Sequence, residues 1–317
     1  VGMSNAGAYA AGVVITDVPG GTYDTSLSVQ PGGMQVVTLP WVLEIKAPGI
    51  FAEMSWATRK VADATYRITS DRPVTVYQFS PLEYESDGEN SFTNDASLLL
   101  PAHVYRDEYI AMSRPTLKVQ DAFSDVGSDP SFVAIVGTAA GPSTVEITTS
   151  AYTEASDTVS NETYAARSPG DAFQVTVQPY EVFQLLAGTE AGCTGASPCA
   201  SGYTCCDTPA TYDLTGTEIR VLDGRNPAVF AGTECSFVPF DKWACDHLEQ
   251  QMFPRETWGT RYVCAHNEVQ APGEPTVWRV LSGSNGNEIA FSPSVAPSAT
   301  LDRGEFVEFE SEQDFIV

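Results

Sequence analysis

The stretch from Asp213 to Tyr262 recurs, in degenerate form, between Thr65 and Tyr109 of the same chain. Both copies open on a β-rich lead-in and an Arg-Pro or Arg-x-Pro step (Arg72-Pro73; Arg225 with Pro227), followed by an apolar strand. A loop carrying an Asp comes next (Asp95; Asp246), then a Pro that precedes a Tyr (Pro101 and Tyr109; Pro254 and Tyr262). Internal repetition on this scale implies two like units in tandem, each a supersecondary assembly of its own. Val42-Leu43-Glu44-Ile45, Val182-Phe183-Gln184-Leu185 and Phe306-Val307-Glu308-Phe309 add a shared pattern of two apolar residues, Glu or Gln, then one apolar. The last of these implies a further unit starting near Val277. Val1 opens no signal-peptide pattern, which fits a chain processed or trimmed from something longer.

Short runs rich in Val, Ile, Thr, Phe and Tyr alternate with Gly, Pro, Asn and Asp clusters. Thr144 to Thr148 and Gln174 to Val177 alternate apolar with polar, as half-buried strands do. Helical periodicity is confined to Phe51 to Ala62 and Asp246 to Phe253, each long enough for a turn or two. With 25 Gly and 21 Pro spread through 317 residues, the pattern predicts an all-β protein of tandem β-sandwich, jelly-roll-like units. A β-propeller is the alternative, although its blades are shorter than the repeat seen here. Residues 1–130 form the first expected unit. Residues 131–272 form the second, with a Cys-rich insert at 192–209, and residues 273–317 are the truncated start of a third.

There are 41 acidic and 16 basic residues, a formal net charge of −25. Nucleic-acid affinity rests on Lys and Arg neutralising phosphates, so nucleic acid is excluded as a partner and an anionic membrane surface is disfavoured. No uninterrupted apolar run approaches the ~18 residues of a membrane span. An acidic surface suits solubility, divalent cations or a basic partner.

Seven cysteines fall between Cys193 and Cys264. Their spacing does not suit zinc, which takes pairs two to four residues apart, but it suits disulfides of a secreted loop. Cys235 and Cys245 flank a turn-forming segment with Pro239 and Asp241, and a bridge is expected there. The adjacent Cys205 and Cys206 should take different partners, and the pairing of Cys193, Cys199, Cys205, Cys206 and Cys264 stays open.

No catalytic residue is assigned. His103, His247 and His266 lack a G-x-S-x-G elbow or comparable signature, and the adjacency of Asp246 and His247 does not aim a carboxylate at an imidazole. Asp95 and Asp246 read first as acceptors of backbone N–H bonds at a turn or cap. The functional alternative is calcium held by Asp87, Glu89, Asn90, Asn94 and Asp95, because carboxylates and amide carbonyls are the hard oxygens that ion takes. No other cofactor is implied. Trp243 and Trp258, near Phe240 and Phe253, read either as cover for a small core beneath the disulfide or as a binding hot spot. Asn161-Glu162-Thr163 matches the glycosylation tripeptide.

The DLTGTEI segment, the strand from Pro227 to Gly232, Cys245-Asp246-His247-Leu248, Gln251, Pro254, Trp258-Gly259 and Tyr262 together resemble the IgGFc-binding protein N-terminal domain family. Ser70 to Pro81 and Asn94 to Pro101 carry the same resemblance, which covers most of residues 60 to 265. It implies a secreted or cell-surface β-rich region, part of a large adhesion or binding protein, with no catalytic residues. The insert at 192–209 and the acidic, Lys-poor composition depart from the pattern and point to a bacterial surface protein. Fc binding does not follow from the family's name. The reading is a non-enzymatic adhesion or binding module whose partner is a protein, a glycan or copies of itself. A structural subunit of a surface fibre or sheath is the second reading, and a hydrolase using His247 or His103 is the third.

Overall fold

The computed structural model describes residues 1–18, 21–45, 57–80, 84–86, 89–91, 95–120, 125–193, 195–198, 203–206, 208–242, 245–267 and 273–317. In chain order the first strands are β1 (Gly2–Ser4), β2 (Ala11–Thr16), β3 (Asp24–Val29), β4 (Met34–Val36), β5 (Arg59–Val61), β6 (Arg67–Ser70), β7 (Thr75–Ser80), β8 (Tyr84–Ser86), β9 (Glu89–Ser91) and β10 (Asp95–Leu99). Next come β11 (Glu108–Ile110), β12 (Leu117–Gln120), β13 (Asp125–Asp129), β14 (Ser131–Val136), β15 (Ser143–Thr148), β16 (Ala172–Val177) and β17 (Val182–Leu186). They are followed by β18 (Ala196–Pro198), β19 (Thr204–Cys206), β20 (Glu218–Val221), β21 (Ala228–Ser236) and β22 (Asp246–Gln251). The last are β23 (Val263–Cys264), β24 (Thr276–Leu281), β25 (Asn287–Ile289), β26 (Ala299–Leu301), β27 (Phe306–Ser311) and β28 (Phe315–Ile316). The chain is all-β, and among the described residues no helix is long and apolar enough to cross a membrane.

Two sandwiches share one strand order. In the first, a sheet ordered β10-β7-β1-β4 faces a sheet ordered β3-β2-β6. In the second, the order β22-β21-β14-β17 faces β16-β15-β20, with β5 added beside β17 and β11 beside β20. Period-two alternation places Met3, Val13, Ile15 and Val29 in the first core, and Val133, Ile135, Val145, Ile147, Phe183 and Leu185 in the second. Burying each such side chain contributes about 1.5–3 kcal/mol. Layers paired face to face leave the propeller alternative without support. The strand pairings of β14 with β17 and of β15 with β16 recur near the C-terminus, as β24 with β27 and β25 with β26. There the half-core is closed by Phe315, whose ring meets Trp278 at 5.0 Å and Phe309 at 5.5 Å.

Matching turns carry matching backbone. Two residues before the strand that pairs with β1, β14 or β24, the backbone lies in the left-handed region, at Gly32 (φ 67°), Tyr180 (φ 67°) and Gly304 (φ 82°). Each of these N–H groups donates to the first strand's exit, at Asn5, Gly137 and Ser282 respectively. After β10 and β22, Pro101 and Pro254 each lead into a 3-10 turn. Tyr105 Oη then donates to the Leu100 carbonyl at 3.0 Å, and Trp258 Nε1 to the Phe253 carbonyl at 3.1 Å. Arg106 N donates to Tyr109 Oη and Gly259 N to Tyr262 Oη. These bonds give the Pro-to-Tyr spacing its physical meaning.

Three expectations change. Asp246–Gln251 is a strand, because pairing with β21 overrides the good helix propensity of Leu, Glu and Gln. Within Phe51 to Ala62, the residues from Arg59 to Val61 are strand β5, and 51–56 lie outside the described residues. Val42 to Ile45 is not the counterpart of β17 and β27; it follows β4, and Val42 and Ile45 pack with Val61, Ala64 and Val182. Hydrogen bonding also crosses residues 130 and 272: β5 pairs with β17, β11 with β20, β12 with β19, and β23 with β28.

Candidate functional site

The inward alternation of Val133, Ile135, Phe183 and Leu185 turns Phe132, Ala134, Val136, Val182 and Gln184 to the opposite face of the second sandwich. The partly covered end of the first core, with Tyr66, Ile68, Val74 and Val76, stands over that face. Between them runs a cleft of about 2070 Å³. Its apolar walls are interrupted by both signs of charge, with Arg67, Arg72 and Arg225 along the lining as well as Asp95, Glu234 and Glu249. Mostly apolar walls with a few directed polar groups are the usual make-up of a binding cleft, and clefts between domains are a usual place for one.

Polar ties fix the two walls. Leu100 N donates to Gln251 Oε1 at 2.6 Å, Gln251 N to Ser97 Oγ at 2.9 Å, and Gln78 Nε2 to Glu249 Oε1 at 2.7 Å. Asp95 accepts from Glu249 N and, at 2.7 Å, from Ala96 N, so its carboxylate joins β10 to β22. On the other flank Lys60 is buried, with Nζ 2.5 Å from Glu162 and 3.4 Å from Glu181, and Arg59 grips Asp157. A lysine with so little water around it needs such partners.

His247 sits in the cleft wall, stacked on Phe132 with centroids 6.1 Å apart. Its Nδ1 is 3.8 Å from Glu234 and its Nε2 4.0 Å from Glu249. Burial pushes the Glu249 carboxyl up to about 7 against the pull of His247, with Asp95 and Glu234 adding to the rise. Asp129, 1% exposed, goes further: burial, then Glu234, pushes it up to about 8. Among the described residues neither of its carboxylate oxygens has a hydrogen-bond partner. His266 lies away from the cleft, 2.6 Å from Asp314, and His103 is exposed on the 3-10 turn after Pro101. The ring hydrogen bonds of His247 and His266 among the described residues go to carbonyl or carboxylate oxygens. Those bonds are ion-pair and packing chemistry.

Cys235 and Cys245 form a disulfide with Sγ atoms 1.97 Å apart, and Cys193 and Cys206 a second at 2.17 Å. Cys205 is also disulfide-bonded, Cys264 is free and half-buried, and Cys199 lies outside the described residues. Leu117, Val119, Cys205, Cys235 and Phe237 make a small core there, with Phe240 packed against it. Trp243 lies outside the described residues. Trp258 stands apart from this core, half-buried beside Arg255 and Gly283. Of the oxygen-rich loop, Asp87 and Asn94 lie outside the described residues and Glu89 and Asn90 are described in backbone only. Residue patterns gave no sign of Asp129, Lys60 or Arg279. Arg279 Nη1 donates to Ser113 O, Asp213 Oδ2 and Thr215 Oγ1 at 2.6, 2.7 and 2.8 Å, and locks the C-terminal strands onto the second sandwich.

A family model described as IgGFc binding protein matches residues 95–317, which take in β10, the second sandwich and the C-terminal strands. The IgGFc-binding protein of Homo sapiens is 25% identical over 219 residues, covering 69% of this chain and 3% of that protein. This chain thus spans a small part of the curated relative's length. No solved structure matches. With the family model covering well over half of the sequence, the chain belongs to the IgGFc-binding protein family.

Proposed function

We propose that this chain is a non-enzymatic extracellular binding module that takes a protein ligand in the cleft between its first two sandwiches. The single observation that carries this reading is the cleft itself, about 2070 Å³ and held open by fixed polar ties between β10 and β22. The disulfides fit an oxidising, extracellular setting, and the human relative's name describes binding of a protein. A cell-surface adhesin, bacterial in origin, is the finer form of the proposal. The sandwiches are read as tandem copies of one unit, and calcium in the Ser86 to Asn94 loop belongs to the same reading.

Antibody Fc is the first probe, because the family carries that name. Gln184→Trp would fill the cleft from the middle of β17 without touching the core, since Gln184 alternates with buried Phe183 and Leu185. The expected result is a protein ligand whose affinity falls by about tenfold or more in the variant, with an unchanged melting temperature. Equal binding to both proteins would move the site elsewhere. The fibre reading has one observation in its favour, the repeated docking of one unit on the next.

A further inference from the structure

In the second sandwich, β17 does not end its sheet. Strand β5, from the segment joining β4 to β6, lies along its outer edge, pairing Val182 with Val61 and Gln184 with Arg59. Val61 and Ala64 from that segment, with Val42 and Ile45, cover Ala134, Val136 and Val182. The counterpart of β17 in the first sandwich is β4, and among the described residues nothing pairs with its far edge. Val37 N and the Gly33 carbonyl bond towards β1 and its flanks. The intervening Met34 and Val36 therefore turn their backbone groups outward.

The sheet face beside that edge is also bare. Register places Val36, Gly2, Tyr77 and Leu98 in one row across four strands. Met34 and Val36 are each 64% exposed and Phe79 is 45% exposed, its ring lying where a Cβ on Gly2 would be. Among the described residues of these four strands, none whose side chain falls on this face is charged, in a chain whose net charge is −25. An open edge strand beside an uncharged apolar face invites strand addition.

We propose that β4 and this face dock another sandwich of the same fold, through a strand of the β5 type laid antiparallel along β4. The occupant is not a second copy of these residues, whose own β5 already lies on β17. The surface meets the cleft at Val36 and Phe79, which border both, whereas Met34, Gly2, Tyr77 and Leu98 lie outside the cleft lining; the docking proposed here does not need the cleft to hold a ligand. The consequence is end-to-end joining of like sandwiches by the contact already present between the first and second.

The probe is an acetylated, fluorescein-labelled peptide copying Ala57 to Tyr66, titrated into the full chain and followed by anisotropy and amide exchange. Binding is expected, with exchange at Met34 and Val36 slowed about tenfold and affinity at least about tenfold weaker for Val36→Pro. That change removes one outward donor while leaving the β1 bonds in place. Val36→Lys, at an exposed site, is a second variant expected to weaken binding without unfolding. No binding up to millimolar peptide, binding indifferent to both variants, or protection that maps away from β4 would overturn the proposal. So would concentration-dependent dimers of the peptide-free chain abolished by Val36→Pro, since these would assign the face to a second copy.

Discussion

Asp129 shows at the residue scale how burial decides chemistry. Its carboxyl is pushed up to about 8 from the ordinary value of 3.8, so between roughly those pH values the folded chain holds a proton that the unfolded chain has released. Stability therefore falls as pH rises through that window. Asp129→Asn should unfold at higher urea than the parent at pH 8.5, by on the order of 3 kcal/mol, and the difference should shrink towards pH 4. A constant difference at both pH values would remove titration of Asp129 as the cause. The sequence gives no sign of this burial, because nothing in Asp121 to Asp129 announces that β12 and β21 will enclose its end. Arg279 makes the converse case: its side chain is 8% exposed and that of Asp213 1%. Arg279→Ala leaves the aspartate buried without its cation and should destabilise by about 3–5 kcal/mol, whereas Arg279→Ala with Asp213→Ala together should cost less than the sum. Strict additivity in chemical denaturation would contradict a direct coupling.

At the scale of elements, the β21–β22 hairpin carries the most. Its tip is closed by Cys235 and Cys245 across a sequence separation of 10, and the small core of Leu117, Val119 and Phe237 forms beneath it. Replacing both cysteines by serine should lower stability by about 2–3 kcal/mol, the chain-entropy value for so short a loop. The loss should appear as a lower melting temperature, and an unchanged one would show that the hairpin is held by packing alone. Strands with strict alternation, such as Ser143 to Thr148 and Ala172 to Val177, were legible because one face meets a core and the other does not. Asp246 to Gln251 was not, since six residues with good helix formers look helical until β21 offers a ladder. The pattern of Val42 to Ile45 misled for a related reason: only Val42 and Ile45 are partly covered, against the neighbouring sandwich and not within a sheet of their own, while Leu43 is exposed.

For the whole molecule, the proposed function depends on how the sandwiches sit on one another. Repetition along the sequence led to the expectation of tandem units, which stays a proposal; the fold itself shows one strand order in both sandwiches. The docking between them was hidden, because Lys60 with Glu162 and Glu181, or Asp95 with Glu249, are far apart in sequence and join only through the fold. The cleft exists only if this docking is fixed. Sandwiches strung as loose beads would leave its two walls without a common geometry. The direct measurement is the distance distribution between spin labels at Ser26→Cys in β3 and Gln174→Cys in β16, both exposed, in a Cys264→Ser background. Fixed docking predicts one narrow distance population, unchanged when ligand is added. A broad or two-peaked distribution would contradict a preformed cleft.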